Sequence, residues 1–144
     1  MANVIPDSFK TDLLKGSFNF DSSGGSTFKL ALYTDISGLT TSTTAVTATN
    51  EVGTSGTNYS SGGNTLTNNG VAISSNIAFV DFADLTFSSV TLSAVGALIY
   101  KSSSGNEAVL VLDFGGTKTA TNGDFVVQFP TASNSAAIIR LGNA

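Results

Sequence analysis

Val95-Gly96-Ala97-Leu98-Ile99-Tyr100-Lys101 and Glu107-Ala108-Val109-Leu110-Val111-Leu112-Asp113-Phe114 decide the fold. Both are short apolar runs rich in β-branched and aromatic residues, the composition of strands. Between them, Ser102-Ser103-Ser104-Gly105-Asn106 has the length of a loop that joins antiparallel neighbours. Lys101 and Glu107 bracket the loop, so the pairing that aligns the runs also sets opposite charges across the strands. Both faces of each run are apolar, whereas a sheet with one wet side alternates apolar and polar residues. Two arrangements satisfy this pattern: central strands covered on both faces, or one face reserved for another subunit.

Outward from the hairpin the strands come closely. Gly115-Gly116 is expected to end it, and Asn122-Gly123 to make a further turn. Phe125, Val127 and Phe129 then form one face of a strand stopped by Pro130, and residues 136–141 form a closing strand. Upstream, Phe87 falls in a connection, Ala83-Asp84 in a break, and residues 77–82 and 71–74 in strands after a tight turn at Asn69-Gly70. Residues 27–34 alternate as a half-buried strand, with Phe28, Leu30 and Leu32 facing one way and Lys29, Ala31 and Tyr33 the other. A short strand is also expected over residues 17–20. Roughly eight short strands with polar turns predict an all-β, single-domain antiparallel β-sandwich or jelly roll.

One helix precedes it. Pro6 suits a first helical position, Asp7 and Ser8 suit the positive helix end, Phe9 and Leu13 share a face, and Gly16 is a natural stop. A helix this short must dock on something: its own β-domain as a lid, or a neighbouring subunit as an arm. Residues 1–16 thus form an N-terminal segment and 17–144 the β-domain. Within that domain, residues 35–70 are a long Thr/Ser/Gly/Asn-rich excursion with Val46, Val52, Tyr59 and Leu66 as anchors. It is expected on the surface or laid on a partner, with short strands near Leu66.

Composition narrows the function. The 144 residues suffice for one core; charged residues are 11% and Ser plus Thr roughly a quarter, so solubility rests on hydroxyls and amides. Mean hydropathy is +0.23, yet no apolar run reaches the ~20 residues of a membrane span. Net charge is -4, and the six basic residues form no cluster, which argues against a phosphate-backbone binder. Without His or Cys there is no Ser-His-Asp or Cys-His catalysis, no thiolate metal site and no disulfide. The opening residues lack the basic and apolar segments of a signal peptide, so synthesis and assembly in a host cytoplasm are expected.

Candidate chemistry is thin. Asp81 and Asp84 are the closest acidic pair, and a glycosidase needs two carboxyl groups flanking its bond. Both sit beside a turn, where Asp is common, as do Asp113 and Asp124 at strand ends. No calcium-loop spacing is present. Gly115-Gly116-Thr117-Lys118-Thr119 echoes the end of a phosphate loop but lacks its first glycine, and reads as a turn. Tyr33, Tyr59 and Tyr100 suit sugar stacking or, scattered as they are, core and interface packing. No catalytic, cofactor-binding or metal-binding residue is therefore assigned, and no cofactor is expected.

Several segments in order carry a resemblance: Ile5-Pro6-Asp7-Ser8-Phe9-Lys10, Leu13-Leu14-Lys15-Gly16, residues 28–34, Tyr59-Ser60-Ser61-Gly62-Gly63-Asn64-Thr65-Leu66, Phe79-Val80-Asp81-Phe82, Gly96-Ala97-Leu98-Ile99-Tyr100, Val111-Leu112-Asp113-Phe114 and Gly123-Asp124-Phe125. From about Ile5 to Leu141 the set resembles a family of small virion structural proteins of tailed bacteriophages. The resemblance implies a particle component without catalytic residues, best assigned as a capsid decoration (cement) protein. Such a protein is a small β-domain, often a homotrimer, seated on the capsid surface where major capsid subunits meet. Its partners would be the major capsid protein and further copies of itself, with no nucleic acid and no membrane. Phe9, Leu13, Val95, Leu98, Tyr100 and Tyr59 are the expected assembly contacts. Tail or neck placement, a receptor- or glycan-binding fibre tip using residues 35–70, and a depolymerase resting on Asp81 and Asp84 are the rival readings.

Overall fold

The computed structural model describes residues 2–143 and arranges them as two antiparallel sheets with one short helix. The helix α1 is Asp7–Leu14; the strands are β1 Phe28–Tyr33, β2 Asn64–Thr65, β3 Asn68–Ser74, β4 Ile77–Phe82, β5 Leu85–Lys101, β6 Ala108–Val127 and β7 Ile139–Leu141. Strand order is β2-β1-β5-β6 in the larger sheet and β3-β4-β7 in the smaller. This is the all-β, sandwich-like architecture expected from the strand pattern.

The opening hairpin is present and much longer than its sequence suggested. β5 runs for 17 residues and β6 for 20, paired from Leu85↔Val127 to Tyr100↔Ala108. Phe87 is therefore not in a connection: it lies in β5 opposite Phe125. Gly115-Gly116 does not end the hairpin, and Asn122-Gly123 is not a turn. Between the pairs Ala94↔Lys118 and Gly96↔Asp113, Val95 on β5 spans Phe114 to Thr117 on β6, so the glycines form a bulge. Gly115 and Gly116 have φ of 72° and 140°, and Asn122 (46°) and Ser89 (54°) make a second irregularity lower down. Bulges and turns both draw on residues that tolerate positive φ, so the same dipeptides serve either. Asn69-Gly70 repeats the lesson inside β3, while the actual turn is Ser75-Asn76, with φ of 49° and 64°.

The alternation of β1 sorts its side chains correctly, but the strand is buried on both faces rather than half-buried. Phe28, Leu30 and Leu32 join the main core with Phe82, Phe87, Val109 and Leu110. Ala31 and Tyr33 join a second core with Leu98, Tyr100, Ala108 and Val111. The excursion caps that second core. Ile36 and Leu39 are buried in it, and Val4, Val46 and Val95 pack against it. Its backbone is fastened by Val46 N–H to Asn106 O (3.0 Å), Ala108 N–H to Thr44 O (2.9 Å) and Val52 N–H to Leu32 O (2.9 Å). Its polar side chains close local turns, as when Asp35 Oδ1 accepts from the Ser37 amide at 2.8 Å. The tract expected to be displayed or laid on a partner is laid on its own sheet.

The helix is a lid in cis. Phe9 is buried, with its ring 4.9 Å from Phe18 and 6.1 Å from Phe20. Phe20 stacks on Phe28 at 4.6 Å, which ties the lid to β1. Residues 17–20 form no strand; Phe18 and Phe20 instead wedge between helix and sheet. Gly16, at φ 81°, ends the helix by donating its amide to Leu13 O, and Ser17 donates to Asp12 O. The closing strand is only Ile139–Leu141, shorter than residues 136–141 suggested.

Candidate functional site

Of the six expected assembly contacts, Phe9, Tyr59, Leu98 and Tyr100 are buried within the chain. The helix lid and the excursion cover the faces that the sequence alone left open, so these four side chains present no surface to a partner. Leu13 is partly buried against the main core, and Val95 against the second.

The three tyrosines gather around one carboxylate. Glu51 Oε1 accepts from the Tyr59 hydroxyl at 2.8 Å and from the Gly62 amide, while Oε2 accepts from Ser61 Oγ at 3.1 Å. The Tyr59 oxygen also accepts the Leu32 amide at 3.0 Å, and Tyr100 donates to Gly62 O at 2.7 Å. Tyr33 donates to Thr47 O at 2.6 Å. Burial pushes the Tyr33 hydroxyl up to about 12 and raises those of Tyr59 and Tyr100, with the Glu51 charge adding to each. Every hydroxyl is occupied, so the cluster ties residues 47–63 to β1 and β5 and offers no open platform for a sugar ring.

The acids read as catalytic candidates serve the backbone or a neighbouring amide. Asp84 Oδ1 accepts the Phe129 amide at 2.8 Å, and Asp81 Oδ2 accepts from Asn69 Nδ2 at 2.6 Å. Asp113 Oδ1 accepts the Gly115 amide at 2.8 Å, which holds its carboxyl below the usual range. Asp124 Oδ1 accepts the Ser89 amide at 3.2 Å across the second irregularity. Lys101 faces Glu107 across the hairpin and donates its amide to Glu107 O at 2.9 Å, but its ammonium bonds elsewhere. It donates to Ser17 O at 2.8 Å above the Phe18 ring, while Ser103 holds Glu107 and lowers its carboxyl, with the Lys101 charge adding to the effect. Among the described residues no group of three or more His, Cys, Asp or Glu could hold a metal ion, and no helix is long and apolar enough to cross a membrane.

Two surfaces stand out that the sequence reading did not single out. Below the glycine bulge, β5 and β6 continue as a two-stranded ribbon whose inner side chains Phe87, Leu92, Ala120 and Phe125 enter the core. Its outer face carries exposed Thr86, Thr91, Ser93, Thr119, Thr121 and Val126, with the exposed carboxylate of Asp124 between the last two. Ser93 and Thr119 join hydroxyls at 2.7 Å across the strands. The second surface is at the other sheet. Val71, Ile73 and Leu141 are exposed on β3 and β7, and Val71 and Leu141 with Leu13, Ala78 and Val80 border an apolar cleft of about 140 Å³. The signal for the first lay in the Ser/Thr alternation of residues 86–93, and for the second in a strand without a single charge. No protein-family model, curated protein or solved structure matches the chain.

Proposed function

We propose that this chain is a structural component of a phage virion, a decoration protein that binds between major capsid subunits and stabilises the shell. The observation that carries the reading is the outer face of the β5–β6 ribbon, rich in exposed hydroxyls, with Asp124 toward its lower end. Interface centres are depleted in charge, and a face of paired hydroxyls with Val126 exposed can lie on another protein while Asp124, held by the Ser89 amide, stays toward its rim. The ordered segments resembling small virion proteins supply the class, and the trimer they imply is part of the proposal. The tightly bonded excursion suits a part that must be rigid before it docks. A sugar-binding tip is less well supported, because Tyr33, Tyr59 and Tyr100 are all buried. An enzyme resting on Asp81 and Asp84 is less well supported too, because both carboxylates hold neighbouring groups.

The test is addition of the purified chain to capsid shells that lack it. Saturation at a stoichiometry matching lattice sites, and raised shell melting temperature, are expected. Thr119→Arg, at the upper end of the ribbon face beside the glycine bulge, should lower the affinity at least tenfold while the isolated chain keeps its stability. A protein that ignores shells but joins tails, or binds host polysaccharide, would move the assignment to those parts of the particle.

A further inference from the structure

Edges other than that of β3 are short, charged, bulged or covered. The lower edge of β5, beyond its pairing with β1, is covered where the Thr91 amide donates to Thr57 O at 3.0 Å and Asn58 Nδ2 donates to Ser89 O at 3.2 Å. β2 is two residues long, and β7 is three and carries Arg140. The upper edge of β6 is covered by the N-terminal segment, where Val4 and Val111 exchange amide–carbonyl bonds at 3.0 and 2.8 Å. Its lower part is bulged and carries Lys118 and Asp124. Short strands, charges, bulges and covering segments are the usual protections of an edge. β3 lacks most of them. Asn68-Asn69-Gly70-Val71-Ala72-Ile73-Ser74 has no charge and no proline, and its one irregularity sits at the Asn68 end. Ile73 is 74% exposed and Val71 55%.

We infer that β3 pairs with β3 of a second copy of this chain, antiparallel and centred on Ala72. The hairpin geometry fixes which groups are available. Ser74 and Ile77 flank the two-residue Ser75-Asn76 turn and form its hydrogen-bonded pair. Alternation then makes Ala72↔Phe79 the next hydrogen-bonded pair and leaves the amides and carbonyls of Val71 and Ile73 pointing away from β4. In the centred register, Val71 of each copy meets Ile73 of the other. Both residues point their backbone groups outward there, so the hydrogen bonds close. Both also lie on the face shared with Ala78, Val80 and Leu141, so the apolar side chains of the two copies join into one stripe beside the cleft.

Shifts by two residues, to Val71↔Val71 or Ile73↔Ile73, also close the bonds, but only the centred register sets both aliphatics of each copy against an aliphatic of the other. A shift by one residue would set outward-pointing groups against groups already bonded to β4. The apolar contact is small beside the ~800 Å² per partner of a standard interface, so the pairing belongs to the weak class that forms at high concentration or on a lattice. It is two-fold; in a trimer it would link one ring to the next. It does not depend on the shell-binding reading, because it is measured on the isolated chain.

The absence of native cysteine makes the experiment direct. In the centred register the two Ala72 residues form a non-hydrogen-bonded pair with Cα atoms ~4.5 Å apart, within disulfide reach. Ala72→Cys at millimolar concentration under mild oxidation should give a covalent dimer at least tenfold faster than Ser55→Cys, an exposed control on the excursion. Adding Ile73→Lys to Ala72→Cys should remove that advantage, with Val71→Lys as a second variant and circular dichroism confirming that each is folded. Equal rates for the two single-cysteine chains, or cross-linking untouched by both lysines, would overturn the pairing.

Discussion

The Tyr59 hydroxyl bridges two elements: it donates to Glu51 at 2.8 Å and accepts the Leu32 amide of β1 at 3.0 Å. This one oxygen closes the excursion onto the central sheet. Tyr59→Phe keeps the ring packing against Phe87 but strands a buried amide and removes a carboxylate partner. Leaving such groups unpaired costs about 1–3 kcal/mol. Urea unfolding should register a loss of that size with an unchanged slope. Hydrogen exchange should show amides of residues 48–63 opening faster than those of β5.

The same cluster sets the behaviour at high pH. Tyr33 ionises at about 12 in the folded chain, because burial disfavours its phenolate, and at ~10 once unfolded. The folded state therefore holds a proton that the unfolded state releases. The contribution is complete below about pH 10 and is lost as pH rises toward 12. Tyr59 and Tyr100, also raised, act in the same direction. Stability should hold between pH 9 and about 10 and fall as pH rises from there toward 12. Tyr33→Phe should flatten that fall while lowering the neutral-pH value by about 1 kcal/mol for the lost bond to Thr47.

Gly63 and Gly56 both sit at positive φ, 69° and 71°. A Cβ at Gly63 would run into the Leu30 carbonyl of β1, whereas one at Gly56 would meet nothing within 4 Å. Gly56→Ala should cost only the backbone penalty of ~1–2 kcal/mol. Gly63→Ala should cost that and more, because β1 cannot retreat from a core it shares on both faces. Thermal melts of the two variants compare the close approach directly; equal shifts would remove it as a reason for glycine.

Much of this fold could be read from residue pattern. The period-two alternation of residues 28–33 sorted side chains into what proved to be two cores, and the doubly apolar hairpin required cover on both faces. The nature of that cover could not be read. Ile36 and Leu39 are isolated among polar residues, and nothing local distinguishes a loop folded back on its own sheet from one offered to a partner. The long strands were hidden because Gly115-Gly116 and Asn122-Gly123 suit turns as well as bulges. Of the assembly residues named from sequence, Phe9, Tyr59, Leu98 and Tyr100 are taken into the chain's own cores, and Leu13 and Val95 are partly buried against them. The exposed positions are threonines, serines and a few aliphatics at an edge, whose importance depends on exposure that a one-dimensional pattern does not encode.

The burial of Phe9 changes what its substitution should do. A helix acting as an arm on a neighbour would lose association on Phe9→Asp and keep its fold. With Phe9 buried among Phe18 and Phe20, the loss should instead fall on the fold of the isolated chain. Phe9→Ala removes a core ring, an average cost of ~3–5 kcal/mol, and a charged aspartate there should cost at least as much. Leu14 is 83% exposed on the same helix, so Leu14→Asp should change stability by less than about 0.5 kcal/mol. Chemical unfolding of dilute protein separates the two cases. A Phe9→Ala chain as stable as the parent would mean that the ring is not part of its own core and would return the helix to a role in trans.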